Sequence, residues 1–267
     1  MAITTTAEFY SALTQRVRIR KAALASQGTV QSSLWAAGGD PPAGTLAVGN
    51  TTTGVLFDSN TTGAPAITAF PSGNTGYLKF ARMYQAITGS IWVYDRLWGA
   101  GAISLTSLAT TTFSGQPSYA ARLPAGSNYE VEVLIEVVIV TPPTATTISG
   151  TYTNEAGTPG RAFQTLSATS LTANRVGILS LQDGDKGVQS VDSITVGGTV
   201  ATQGTFNVIV GRRLAALHSE VEMLSDNQNW DLLGMPQVFD TACLWVTPFC
   251  AVNAGTACAL NLEIING

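Results

Sequence analysis

Charge is what this chain has least of. Acidic and basic residues together make up 11% of its 267 positions, against roughly a quarter in ordinary soluble domains. A surface so poor in ions must be covered largely by Thr, Ser, Asn, Gln and Gly. The formal net charge of -4 offers no positive field over most of the molecule, so nucleic acid is not expected as a partner. Histidine occurs once, as His218 in "AALHSEVEML". No G-x-S-x-G turn is present, and the adjacency of Ser219 and Glu220 along the chain says nothing about triad geometry. Paired carboxylates of the glycosidase kind are set by the fold, and nothing in the sequence selects a pair. No catalytic residue, and no enzyme, is therefore expected.

Cysteine is scarce as well. Cys243, Cys250 and Cys258 are odd in number and lack C-x-x-C spacing, which suggests neither a disulfide framework nor a zinc site. Cys258 alternates with Leu260, Leu262 and Ile264 and reads as a small buried apolar residue. No apolar run approaches the roughly 18 residues needed to span a bilayer. The longest, "VEVLIEVVIV", is broken by Glu132 and Glu136. The opening "MAITTTAEFYSALTQ" lacks the basic start and apolar core of a secretory signal. The expectation is a protein made in the cytoplasm, with no membrane partner and no cofactor.

What is present is β-type alternation. Short runs recur between Gly- and Pro-rich turns: "YLKFARMY", "SIWVYDRLW", "NYEVEVLIEVVIV", "TTISGTYTN", "RAFQTL", "VGILSL", "VQSVDSITV", "TFNVIV", "ACLWVTPF" and "CALNLEII". Helical periods are nearly missing, and no internal repeat of fixed period is found. The pattern predicts an all-β fold, an antiparallel β-sandwich of jelly-roll-like type. In the third run Glu130, Glu132 and Glu136 alternate with Val131, Val133, Ile135, Val137 and Ile139, which predicts one buried face and one wet or partner-facing face.

Residues 1–76 read as a helix followed by an extended Gly/Pro/Thr-rich arm, and residues 77–267 as the sandwich. Thr5 and Glu8 have capping-box spacing, Phe9, Leu13, Val17 and Leu24 lie near one helical face, and Gly28 is a stop signal. A strand over "RVRIR" with Val17 and Ile19 inward is the competing reading. The arm cannot form a core alone, so it is expected to gain order across a neighbouring subunit.

Four of the thirteen basic residues, Arg16, Arg18, Arg20 and Lys21, fall within six positions. They suit either a solvated helix end that complements the dipole or a docking element for an acidic partner. In "SIWVYDRLW" the aromatics Trp92, Tyr94 and Trp98 suit a core or a sugar-stacking platform, and Asp95 with Arg96 suits a strand-end pair.

"LQDGDKGVQSVDSITV" places Asp183 and Asp185 one residue apart in a loop. Counted as a calcium loop from Asp183, it has Gly187 at the fifth position, Val188 at the sixth and Ile194 at the twelfth. An oxygen ligand, a glycine and a bidentate carboxylate are needed there. A structural turn leading Val188, Val191, Ile194 and Val196 into a strand fits better, and no metal is expected.

Five segments in order, "SSLWAAGGDPPAG", "IWVYDRLWGAGAISL", "GTYTNEAGTPGRAF", "LQDGDKGVQSVDSITV" and "MPQVFDTACLWVTPF" followed by "LNLEIING", resemble a family of virion structural proteins of tailed bacteriophages. The resemblance spans roughly residues 10 to 267. Its most specific positions are Tyr152, Thr153, Asn154, Gly157, Gly160 and Arg161, then Asp183, Gly184, Asp185, Gly187, Val188 and Val191. The sequence departs from the family in its apolar and cysteine content near "CLWVTPFC". The resemblance implies a particle component without catalytic residues, in which the Asp185 motif is a turn that sets strand register. It implies a head decoration or cement protein in the virion, partnered by the major capsid protein and by its own copies as a dimer or trimer. A tail or baseplate component, a glycan-binding adhesin and an enzyme degrading host polysaccharide are the alternatives.

Overall fold

The computed structural model describes residues 5–24, 30–85, 87–141, 144–169, 171–219, 225–250 and 256–267. At the N-terminus two local signals compete. Thr5 Oγ1 accepts from the Glu8 amide at 3.2 Å and Glu8 Oε2 accepts from the Thr5 amide at 2.9 Å, so the capping box forms and helix α1 runs Thr6–Ser11. The helix expected to continue through Leu24 is instead strand β1, Leu13–Leu24. A helical turn of about 100° per residue would put Val17 and Ile19 on opposite sides. A strand puts both inward and Arg16, Arg18 and Arg20 outward, and β-branched side chains favour it. The stop signal at Gly28 lies outside the described residues.

In chain order the further strands are β2 Gly39–Asp40, β3 Val55–Leu56, β4 Gly76–Gln85, β5 Gly89–Ser104, β6 Thr110–Thr112, β7 Glu132–Ile139, β8 Thr146–Asn154, β9 Arg161–Ala162, β10 Leu166–Ser167, β11 Val176–Leu179, β12 Val188–Gly198, β13 Thr205–Ser219, β14 Ser225–Asn229, β15 Gln237–Val238, β16 Leu244–Cys250 and β17 Thr256–Asn266, with a one-turn helix α2, Trp230–Leu233, after β14. Their ladders are antiparallel. The fold is therefore the all-β, sandwich-type class expected, with an N-terminal helix and a loop-rich arm up to β4. Among the described residues no helix is long and apolar enough to cross a membrane.

The chain forms two compact units, each drawn from separated stretches. Unit 1 comprises Met1–Thr45, Asp58–Asp95 and Arg213–Gly267, and unit 2 comprises Leu46–Phe57 and Arg96–Arg212. In unit 2 one sheet runs β10-β8-β12-β6, with β9 on β8; β11, β7, β13 and β5 follow one another in a second, with β3 on β5. Strict alternation along β8 turns Ile148 and Tyr152 inward. They meet Val191, Ile194 and Val196 of β12 and, from the second sheet, Val133, Ile135, Val137, Phe206 and Val208.

The other face of β7 departs from expectation. Glu136 is fully buried, not wet. Arg96 donates to both of its oxygens, at 3.1 and 2.8 Å, and Asn207 Nδ2 donates to Oε2 at 3.1 Å. The Arg96 guanidinium lies over the Phe57 ring, 4.5 Å from its centroid. Asn207 in turn accepts from the Val48 amide at 3.2 Å and donates to the Leu46 carbonyl. The 46–57 part of the arm thus packs on its own chain around Glu136, while Glu132 is half-buried and Glu130 exposed. Burying a carboxylate requires such pairing.

Unit 1 has the sheet β14-β4-β17-β1-β2, with β15 on β4. Val17, Ile19, Leu78, Met83, Leu260 and Leu262 point inward, against Ile91 and Val93 of β5, Leu214 and Leu217 of β13, and Leu244 and Val246 of β16. Here too the arm packs on its own chain. The Ser32 and Leu34 amides donate to the Pro248 and Val246 carbonyls at 2.9 and 3.1 Å, and Trp35 Nε1 donates to the Thr45 carbonyl at 3.0 Å. Asp95 and Arg96 are not a strand-end pair: both are buried in the middle of β5. Neighbours on a strand point to opposite faces, and the Asp95 carboxylate accepts from the Cys243 amide at 2.9 Å.

Cys243, Cys250 and Cys258 are free and buried. Burial raises the Cys250 thiol and pushes Cys258 up to about 12, so neither of these two forms a reactive thiolate near neutrality. Ellman's reagent at neutral pH is expected to find no reactive thiol in the native protein and three after unfolding in denaturant.

Candidate interaction surface

On β1 the arginines Arg16, Arg18 and Arg20 are exposed, with Val17, Ile19 and Lys21 buried between and beside them. Alternate residues of a strand stand about 6.7 Å apart, so the three side chains form a row about 13 Å long. Register extends the row into a face. Arg18 lies opposite Asn261 of β17, which lies opposite Arg82 of β4, which lies opposite Asn227 of β14. Flanking rows hold Arg16, Glu263 and Phe80 on one side, and Arg20, Ala259 and Tyr84 on the other. Arg16 Nε donates to Glu263 Oε1 at 3.0 Å, with the Arg16 side chain 84% exposed, so this pair contributes little to stability. Asp40 of β2 stands opposite Arg20.

The fourth member of the basic cluster behaves differently. Lys21 turns inward, and its Nζ donates to the carbonyls of Ala37, Pro41 and Pro42 at 3.3, 3.0 and 3.0 Å. Burial lowers its pKa, partly opposed by Asp40. It anchors the arm and takes no part in the exposed face. Arg82, Phe80 and Tyr84 join the face through pairing across strands. Arg82 and Tyr84 are exposed and Phe80 is half-buried at alternate positions of "YLKFARMY", a signal that sequence reading did not use. β1 lies toward the margin of its sheet, where charge also guards against unwanted edge pairing.

The second cluster gathers the motif residues of unit 2. Asp185 Oδ2 accepts from Tyr152 Oη at 2.6 Å and from Arg161 Nε at 2.8 Å, and Oδ1 accepts from Asn154 Nδ2 at 2.9 Å. Tyr152 Oη in turn accepts from the Gln182 amide at 2.9 Å. The end of β8, the start of β9 and the 182–185 turn thus meet at one carboxylate. Thr153 and the Gly160 amide bond instead to Asp192. Asp183 is exposed at the tip, Gly184 has φ +92°, and Gly157 and Gly160 are also in the left-handed region. Gly187 is required for a different reason: a Cβ there would stand 2.2 Å from the Tyr129 carbonyl oxygen, where β12 begins with Val188. Val191 is buried in the core. Among the described residues no group of three or more His, Cys, Asp or Glu is arranged to hold a metal ion.

The Arg161 guanidinium, followed by the Tyr152 hydroxyl and Asn154 amide, holds the Asp185 carboxyl down to about 2, and burial with the Asp185 bond pushes Tyr152 up to about 12. A carboxyl depressed on folding stabilises fully above its ordinary value of 3.8. That contribution is lost as pH falls toward about 2. Asp185→Asn is expected to flatten the loss of stability over this window, read as thermal midpoints against pH.

His218 Nδ1 lies 2.9 Å from Ser90 Oγ. The Asp226 carboxylate accepts from the His218 backbone amide and so does not orient the ring as a triad acid would. Tyr94 and Trp98 are fully buried and offer no platform to a sugar. Trp92 is half-buried and packs on Phe249, with ring centroids 6.3 Å apart.

No protein-family model matches this chain, and no curated protein matches it. Among solved structures it is similar to the VP2 subviral particle of infectious bursal disease virus, with 8% identity over 95% of this chain and 80% of that one, at a TM-score of 0.21. It is similar also to T=1 particles derived from that virus, with 9% identity over 95% and 77% and a TM-score of 0.19. A structure of the virus's Gx strain gives 10% identity over 96% and 81%, with a TM-score of 0.20. Scores this low do not establish a shared fold, and the all-β assignment rests on the strand pairing of the chain itself.

Proposed function

We propose that this chain is a non-enzymatic structural subunit of a tailed-bacteriophage virion, a decoration or cement protein that binds the outside of the head and stabilises it. Its partners are the major capsid protein and further copies of itself. The observation that carries the reading is the convergence of the motif residues. Tyr152, Asn154, Arg161 and Asp185 come from two separated segments of the resemblance and close on one another, each bond of the Asp185 carboxylate holding its own chain in place. Residues conserving a shape in this way suit a building block. A surface rich in Thr, Ser and Gly suits broad contact, because few ions have to be desolvated when it is covered. Buried Tyr94 and Trp98 disfavour the adhesin alternative.

The test is co-sedimentation of the purified chain with assembled heads and, separately, with free capsid protein. Binding to assembled heads alone is expected, together with slower heat disruption of the decorated heads. Equal binding to both forms, or binding to neither, overturns the placement. Retention on isolated tails instead of heads transfers the proposal to the tail.

A further inference from the structure

We propose that copies of this chain associate through unlike patches, the arginine-bearing sheet face of unit 1 in one copy docking on the acidic loop cluster of unit 2 in the next. The proposal rests on the structural-subunit reading and names how that subunit meets itself.

The donor surface is the outer face of β1, β17 and β4. It carries Arg16, Arg18 and Arg20 on β1 and, across β17, Arg82 on β4 with Phe80 and Tyr84 on either side of it. Arginine is the residue suited to this work. Its planar fork meets a carboxylate with two parallel bonds and loses little order in doing so. Arg16 is already engaged on the face by a single bond from Nε to Glu263 Oε1, which leaves Arg18 and Arg20 for incoming carboxylates. Glu263 and Asp40 stand among the arginines, so the face is mixed in sign. Phosphates of a nucleic acid would be repelled at those two points, whereas a protein surface with its own mixed charges would not.

The complementary surface lies around Gly187 in unit 2. The Glu155 carboxylate accepts from the Lys186 and Gly187 amides at 3.1 and 3.2 Å. On its other side Gly187 is crowded by the Asn128 and Tyr129 carbonyls, which precede the exposed Glu130. Asp183 is exposed on the turn leading into the same glycine. Three carboxylates therefore flank one turn, while Asp185 is already engaged by Arg161. Lys186 is the cation among them. Because the two patches differ, the contact is heterologous. Repetition closes a ring or propagates a row, either of which covers a shell. Charge pairs of this kind act within a Debye length of about 10 Å at 0.1 M salt, so the association weakens as salt rises.

The experiment uses the full chain in sedimentation velocity runs at low and high salt. It compares wild type with Arg18→Glu/Arg20→Glu and with Glu130→Arg/Asp183→Arg. Wild type is expected to self-associate at low salt and to dissociate at high salt. Each variant alone is expected to associate at least about tenfold more weakly. An equimolar mixture of the two variants is expected to regain association, since each then presents the charge the other lacks. Far-UV circular dichroism checks folding, and recovery on mixing separates a lost contact from a lost fold. A wild type that stays monomeric at low salt overturns the proposal. So does undiminished association of either variant, a mixture that gains nothing, or single-stranded oligonucleotide held by the wild-type face and released by the arginine variant. A monomer that still binds assembled heads refutes this contact and leaves the proposed function standing; an associating chain that binds no head does the reverse.

Discussion

Replacing Glu136 by alanine is expected to destabilise the protein by about 3–5 kcal/mol, the range for removing one partner of a buried ion pair. Both Arg96 and Glu136 side chains have 0% exposure. Without the carboxylate the guanidinium keeps its charge, stacked on Phe57 and far from water, and Asn207 loses one of its acceptors. The cost comes mainly from the stranded cation, and a second substitution exposes this. Arg96→Met/Glu136→Leu removes both charges while keeping apolar volume, and it is expected to recover most of the loss. Urea midpoints of the two variants, followed by a probe of unit 2 such as Trp98 fluorescence, make the comparison. A single variant as stable as wild type, or a double variant worse than the single one, contradicts the account.

Trp98→Ala is expected to cost a similar amount, about 3–5 kcal/mol, as for large aromatic truncations in packed cores. Trp98 is fully buried, packs edge-on to Phe113 with centroids 5.5 Å apart, and donates from Nε1 to the Thr53 carbonyl at 3.1 Å. Its ring also fills the space where Gly54 has no side chain: a Cβ there would stand 2.3 Å from it. Truncation therefore opens a cavity and strips a part-buried carbonyl of its donor at once. Trp98→Phe separates these terms, since it refills much of the volume without restoring the hydrogen bond, and it should fall between the two. Limited proteolysis offers an independent readout, because the 46–57 segment is pinned by this side chain and should be cut faster in the alanine variant.

Most strands were legible because their signal is local. "TTISGTYTN" is β8 residue for residue, and "VQSVDSITV", "YLKFARMY" and "CALNLEII" fall within β12, β4 and β17. What was not legible depends on partners distant in sequence. Nothing within "VEVLIEVVIV" tells that Glu136 meets Arg96, 40 residues earlier, so a buried acid looked like a wet one. The N-terminal helix failed for the opposite reason: a genuine capping box governed six residues, and a period of two took over from Leu13. The arm looked coreless because its anchors Trp35 and Phe57 are isolated in sequence among Gly, Pro and Thr. The Asp185 motif was visible as a turn, yet its ties to Tyr152, Asn154 and Arg161 span 24 to 33 residues and needed the fold. The arginines were visible only as a cluster with Lys21, whose inward turn and the alignment of Arg82 with Arg18 both depend on strand pairing.

The place of β17 between β1 and β4 bears on how the chain is made. Arg16 and its partner Glu263 are separated by 247 residues, so a ribosome releases β1 long before it releases the strand that fills the middle of that sheet. The 46–57 and 96–212 stretches emerge in between and can close their own sandwich during translation, as domains do when their residues become available. The nascent N-terminal segment must wait with Val17 and Ile19 unsheltered, a delay that slows completion as distant pairings do. Charged side chains along such a strand, here Arg16, Arg18 and Arg20, disfavour pairing with other growing chains.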